Sequence, residues 1–360
     1  MSEGQPPGAS RPSVGVRVLL VADPGLPSTR AATVKDAMER ELNSMYGPPI
    51  ELEMKTATLR LQPDDTLDLT QALEQSRAFG DPDAVLLLTE IPRVHEGRPL
   101  IAEIFPEHNI AVISCPTLGV FTTRRRILDT LLACTVRMRP TQERRDSSRY
   151  ERGWARWNEA LDTEDHQLLT GTRVVGGMRT VAGMVRGNEP LRTVPKLSGA
   201  LAAASATGAF GVFYNSIWSM SMYLTPQRLV SIGVLAVLAI TAWLIIGNRL
   251  WDVPKSQSLA RVVLLYNLST VLTLLMVGGL LYLALVMGIF LTAVIVIDPD
   301  YLAATIEREA SVARYVDIAW LSAAMGVVAG ALGSSFDKDA DLRTLTHGQR
   351  ERQRRYAEGE

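Results

Sequence analysis

From Val262 to Ile297 the chain carries no charged residue, and Arg261 and Asp298 close the stretch on either side. A helix rising about 1.5 Å per residue over that length is longer than the roughly 30 Å hydrocarbon core of a bilayer. Gly278-Gly279 could break it into a hairpin. Each arm would then be short for a crossing, so one long helix is expected. Three more apolar stretches surround it, giving expected spans at about 197–219, 229–246, 264–297 and 316–333. The first is rich in Ala, Ser and Gly and only weakly hydrophobic. An all-α bundle of about four helices follows, occupying 197–336.

The first part of the chain has a different rhythm. Val16–Val21 and Asp83–Thr89 are short apolar runs, and so is Ile110–Cys115. Such runs suit strands buried on both faces of a parallel sheet. Ile50–Leu59 alternates apolar and polar, as a strand with one wet face does. Helical spacing separates them over 29–46, with Ser28 as expected cap, and over 67–79 and 121–138. The alternation predicts an α/β head of four parallel strands over 15–140, Rossmann-like or flavodoxin-like. A polar leader rich in Pro and Gly over 1–14 is expected to be disordered, and it lacks the features of a secretory signal.

Between the halves, 141–196 is expected to be a helical connector. Its later part sets Arg173, Arg179, Arg186 and Arg192 beside an apolar side of valines and methionines, as in a helix lying on a lipid surface. Trp154 and Trp157 share one helical face and suit packing against the head or anchoring at headgroups. Trp218, Trp243, Trp251, Tyr266 and Trp320 fall near expected span ends, as interfacial aromatics do. Basic residues gather in the loop after the second span and in the tail, 337–360. With four spans this places both termini on the cytoplasmic side of the cell's inner membrane.

Charge changes little in this picture. The formal net charge is −1, which implies no nucleic-acid partner. The two cysteines, Cys115 and Cys134, are too few to build a metal cage, and a disulfide is not expected in the cytosol. Phosphate-loop, dinucleotide, nucleophile-elbow and zinc-protease motifs are absent, so no catalytic residue, cofactor or metal is indicated. Asp337, Asp339 and Asp341 imitate a calcium loop, but Leu342 and Gly348 stand where it needs Gly and Glu.

Ligands of parallel sheets bind at the carboxyl ends of strands. Here those ends present Asp23, Gly25, Glu90, Ser114, Cys115 and Thr117, the candidate ligand-binding residues, and the loop Ile91–Phe105 is expected beside the same edge. Asp23 and Glu90 could serve as acid and base or could cap helices, and Cys115 is a nucleophile or a buried small hydrophobe. In the membrane half, Asn215, Asn267, Ser269, Thr270 and Thr273 are the main polar groups, suited to interhelical hydrogen bonds. Gly326, Gly330 and Gly333 form a small-residue face for helix packing or oligomerisation.

The segments VLLVADPGLPS, DAVLLLTEIPR, RVVLLYNLSTVLTLL and GALGSSFDKDA resemble those of uncharacterised bacterial multi-pass membrane proteins with an N-terminal cytoplasmic α/β head. Some of that group carry the label methylene-tetrahydrofolate dehydrogenase, whose cofactor fingerprint this chain lacks.

The expected function is that of a non-enzymatic integral membrane protein. Its head would bind a small ligand or protein and couple to the bundle, as a sensor, regulator or scaffold. Its partners are the bilayer, a cytoplasmic or membrane protein, or a second copy in a homo-oligomer. A membrane-bound enzyme using Asp23, Glu90 and Cys115, and a small channel or transporter using Asn267, are the alternatives.

Overall fold

Both faces of the central strands are covered by apolar side chains, which is why their sequences read as unbroken hydrophobic runs. The computed structural model describes residues 16–59, 74, 77, 79–80, 82–138, 156–159, 167–193, 198–254 and 260–333. The leader, most of the helix expected over 67–79, Trp154 and the charged tail lie outside these. Two compact units divide after Gly187.

In the first unit, strands β1 (Arg17–Ala22), β2 (Glu51–Thr56), β3 (Ala84–Thr89) and β6 (Ile110–Ser114) pair in parallel, in the spatial order β2-β1-β3-β6. Val18, Leu20, Leu86, Leu88 and Ile113 point to one core, with helices α1 (Leu26–Tyr46) and α3 (Arg124–Met138) over it. Leu19, Val21, Val85, Leu87 and Val112 point to the other, where Leu59 and Phe79 join them. Helix α1 begins at Leu26 with Gly25 as its cap residue. It therefore starts a turn earlier than expected, and Ser28 donates to the Gly25 carbonyl instead of capping a later start. Pro27 is tolerated there because first-turn amides have no partner within the helix.

The sheet is larger than expected, and it is mixed. Strand β4 (Arg93–His95) pairs antiparallel with β5 (Arg98–Phe105), which continues antiparallel along β6. The Ile91–Phe105 segment is thus a hairpin, not a loop beside the strand edge. Glu96 and Gly97 both have positive φ, which closes a two-residue turn in the hand a hairpin needs. Strands β8 (Gln167–Thr170) and β7 (Arg156–Glu159) add beyond β5, giving eight strands among the described residues. The helical connector expected over 141–196 is therefore strand at two places, and Trp157 lies in β7 opposite Leu169. These strands are only four residues each, too short for alternation to show in the sequence. Helix α4 (Arg173–Gly187) is the helix expected there, and it belongs to the first unit.

Among its described residues the elements of the second unit are all helices: α5 (Pro190–Thr193), α6 (Ser198–Phe213), α7 (Asn215–Tyr223), α8 (Pro226–Gly247), α9 (Ala260–Val296), α10 (Pro299–Ile306) and α11 (Val312–Gly333). Among the described residues three helices are long and apolar enough to cross a membrane: α8, α9, and α11 over its stretch 312–330. Helix α9 runs unbroken for 37 residues, about 55 Å. The expected span 197–219 is not one helix. Tyr214 is extended, so the chain breaks into α6 and α7, and α6 at 16 residues covers only about 24 Å.

Val277, Leu281, Leu285 and Ala293 of α9 meet Ala236, Ile240, Ile318, Ala319 and Val327 in the interior. Trp320 joins three helices: its indole N–H donates to the Leu229 carbonyl, and its own carbonyl accepts from Tyr282 Oη, both at 2.8 Å. Trp218 is buried and donates to the Gly211 carbonyl at 2.9 Å. These two tryptophans are bundle struts and not the interfacial anchors expected. Outside, Val230, Val234, Leu235, Leu238, Leu264, Leu283, Met287 and Leu291 are exposed. An apolar exterior wrapped around an apolar interior is suited to lipid.

Candidate functional site

The sheet register brings the predicted edge together. Ala22 lies opposite Leu88, and Thr89 opposite Ser114, so the residues after each strand emerge side by side. Asp23 follows β1, Glu90 follows β3, and Cys115 opens the short helix α2 (Cys115–Leu118).

Their polar groups are engaged with one another and with the backbone. The Asp23 carboxylate is fully buried and accepts from three donors: Leu59 N at 2.8 Å, Thr89 Oγ1 at 2.7 Å and Glu90 N at 2.9 Å. Charge-assisted bonds of this kind are the stronger class. Asp23 N also donates to the Leu88 carbonyl, so this one residue ties the ends of β1 and β3 to the chain beyond β2. The network continues outward. Thr89 Oγ1 accepts from Ile91 N, Ser114 Oγ donates to the Ile91 carbonyl, and Thr117 Oγ1 donates to Ser114 Oγ. Glu90, Ser114 and Thr117 are buried, while Gly25 is exposed at φ +92°, a conformation that suits glycine.

Arg30, which the sequence reading missed, organises the last part. It lies buried on α1 and donates through Nη1 to the Cys115 carbonyl at 3.1 Å and to Cys115 Sγ at 3.2 Å. Its Nη2 donates to the Gly119 carbonyl at 2.8 Å. The signal was present, since Arg30 stands four residues before Val34 on the apolar face of α1, where a charge is unexpected. Burial pushes the Cys115 thiol up to about 11, with Arg30 only partly offsetting it, and burial pushes Cys134 to about 12. A thiol so protonated at neutral pH is a poor nucleophile. The described residues hold no cluster of His, Cys, Asp and Glu that could bind a metal ion.

Helix α4 packs on this edge through its small face. Gly183 lies against α2 so closely that a Cβ there would meet Pro116 C at 2.8 Å and Cα at 2.9 Å, and Gly176 sits against Pro99. Arg179 is half-buried against the Gly119 turn, where burial, with the positive Arg126 adding to it, lowers its pKa. Arg173 and Arg186 are exposed, and the Arg192 side chain lies outside the described residues.

In the second unit three of the five polar candidates, Asn215, Asn267 and Thr273, have structural partners. Asn267 exchanges two bonds with the backbone of Asp252, at 2.9 and 2.8 Å, and fixes the loop after α8. Thr273 accepts from Asn188 Nδ2 at 2.9 Å, and Asn215 donates to Tyr301 Oη at 3.1 Å. Ser269 and Thr270 are buried. Gly326 faces α6 of the same chain: a Cβ would fall inside the Ala204 carbonyl oxygen and 3.3 Å from Gly208 N. Gly330 is buried on the same helix and Gly333 ends it. The comparisons add no relative: no protein-family model, no curated protein and no solved structure matches the chain.

Proposed function

We propose that this chain is an integral membrane protein of the cell's inner membrane whose α/β head is a non-catalytic interaction module. The head recruits a protein or binds a small ligand and passes that state to the helical bundle. The single observation behind the non-catalytic reading is the engagement of Asp23, the most reactive-looking group at the strand edge, by three donors. A general base needs a free lone pair aimed at substrate. The apolar exterior of α8 and α9 supports the membrane setting.

In this reading α6 also crosses, with α7 completing its length, and the even number of spans leaves head and tail together in the cytoplasm. The engaged polar groups favour a regulator or scaffold over an enzyme, and the structural partners of Asn267 and Thr273 favour it over a transporter.

The test is complementation in a strain that depends on this protein, together with carbonate extraction of its membranes. Cys115→Ser and Glu90→Gln are near-isosteres that remove nucleophilic and acid–base capacity but keep the shape of the edge for binding, so they should restore growth while the protein stays in the extracted pellet. Loss of growth with unchanged melting temperature in either variant would favour the enzyme instead.

A further inference from the structure

Helix α4 has two apolar faces, and the head covers only one. Gly176, Thr180, Val181, Gly183 and Met184 are buried. At 3.6 residues per turn the opposite side carries Val174, Val175 and Met178, which are 69 %, 68 % and 69 % exposed. Phe121, in the turn that follows α2, is 94 % exposed. That turn lies against α4, since a Cβ on Gly119 would stand 3.0 Å from Arg179 Cδ. A large exposed aromatic ring thus stands two residues from the turn residue that α4 touches, and that helix carries a bare apolar stripe.

The charge around them is of one sign. Segments 119–126 and 171–187 contain Arg124, Arg125, Arg126, Arg173, Arg179 and Arg186 and no carboxylate. Of these, Arg125 reaches Asp129 at 3.9 Å, and Arg126 acts on Arg179. In sequence, α4 leads directly into the second unit. Gly187 is joined to Asn188, which is buried and bonded to Thr273 of α9, one of the helices long enough to span a membrane.

We propose that Phe121 and the outer stripe of α4 dock on an anionic phospholipid leaflet, with the aromatic and aliphatic side chains entering the headgroup boundary and the arginines meeting phosphates. Apolar insertion flanked by arginine is how interfacial helices bind, and acidic lipid strengthens it. The inference rests on the membrane reading above and deepens it, because it assigns the head a lipid-sensing contact.

The full-length protein tests this, since Cys115 and Cys134 are fully buried and leave introduced thiols as the labelled ones. Phe121→Cys and Met178→Cys, with Asp36→Cys on exposed α1 as reference, carry a polarity-sensitive dye. Each is reconstituted into phosphatidylcholine vesicles with or without phosphatidylglycerol, containing nitroxide near the headgroup. Quenching at 121 and 178 should exceed that at 36 by on the order of twofold in the anionic vesicles. It should fall in high salt and in the Arg173→Gln/Arg186→Gln variant. Equal quenching at all three positions, or shielding that is the same without phosphatidylglycerol, overturns the proposal. Failure of the protein to resist carbonate extraction would instead overturn the membrane reading itself.

Discussion

Replacing Gly326 by alanine tests whether α6 and α11 meet backbone to backbone within one chain. The new Cβ would overlap the Ala204 carbonyl oxygen, so α6 must withdraw by roughly 0.5–1 Å, a gap that forfeits about a quarter to a half of each contact it opens. The two small-residue helices share a few tens of atom pairs worth about 0.1–0.2 kcal/mol each, so the loss is about 1–2.5 kcal/mol. Overpacking elsewhere costs about 1–3 kcal/mol. Gly279 supplies the control. It lies in the same unit, mid-helix on α9, and a Cβ there meets nothing within 4 Å. Alanine at 279 should gain up to about 1 kcal/mol from helix propensity. The two variants should therefore differ by about 2 kcal/mol, or roughly 4–8 °C in melting temperature for a unit of this size. Tryptophan fluorescence in lipid nanodiscs reads this directly, because Trp218 and Trp320 are struts of the same bundle. Equal melting temperatures, or a more stable Gly326→Ala, would refute the close contact and return the small-residue face to oligomerisation.

Three further predictions concern the head. Asp23→Asn sets an amide N–H₂ against one of three donors, so the head should lose about 2 kcal/mol; hydrogen exchange should speed at Leu59 and Glu90 before the rest of the sheet, and unchanged protection there would contradict the network. Cys115 and Cys134 have thiols raised by burial to about 11 and 12, so the folded protein should resist alkylation at neutral pH and react once denatured. A raised thiol contributes stability that is complete below its unfolded value near 9 and is lost as pH climbs through 11, so the head should melt earlier in that window. Rapid labelling of Cys115 at neutral pH would show the pocket to be open.

Much of the architecture was legible because it follows from local rules. A long stretch without charge has one economical solution, an uninterrupted helix, and Gly278-Gly279 does not break α9 because each glycine costs only about 1 kcal/mol within it. Strands β1, β3 and β6 were readable as apolar runs because both of their faces are covered, and β2 by its alternation of apolar and polar residues. The strand-end cluster followed from parallel register. Strands β4, β5, β7 and β8 were hidden, since their pairing depends on partners far along the chain, and β7 and β8 are too short to show a period. The break at Tyr214 was hidden too, because the uncharged stretch continues on both sides of it, with only Asn215-Ser216 beside it as polar residues.

Sequence alone determined that one part of this chain mixes charged and apolar residues and that another holds helices long and apolar enough to cross a membrane, because hydrophobicity and charge are properties of each residue wherever it ends up. Only the tertiary structure decided what the polar groups do. Whether Asp23 is a reactive acid or an internal latch, and whether Gly326 faces a second copy or helix α6, depends on which distant atoms lie within about 3 Å, the range over which hydrogen bonds and steric contacts act.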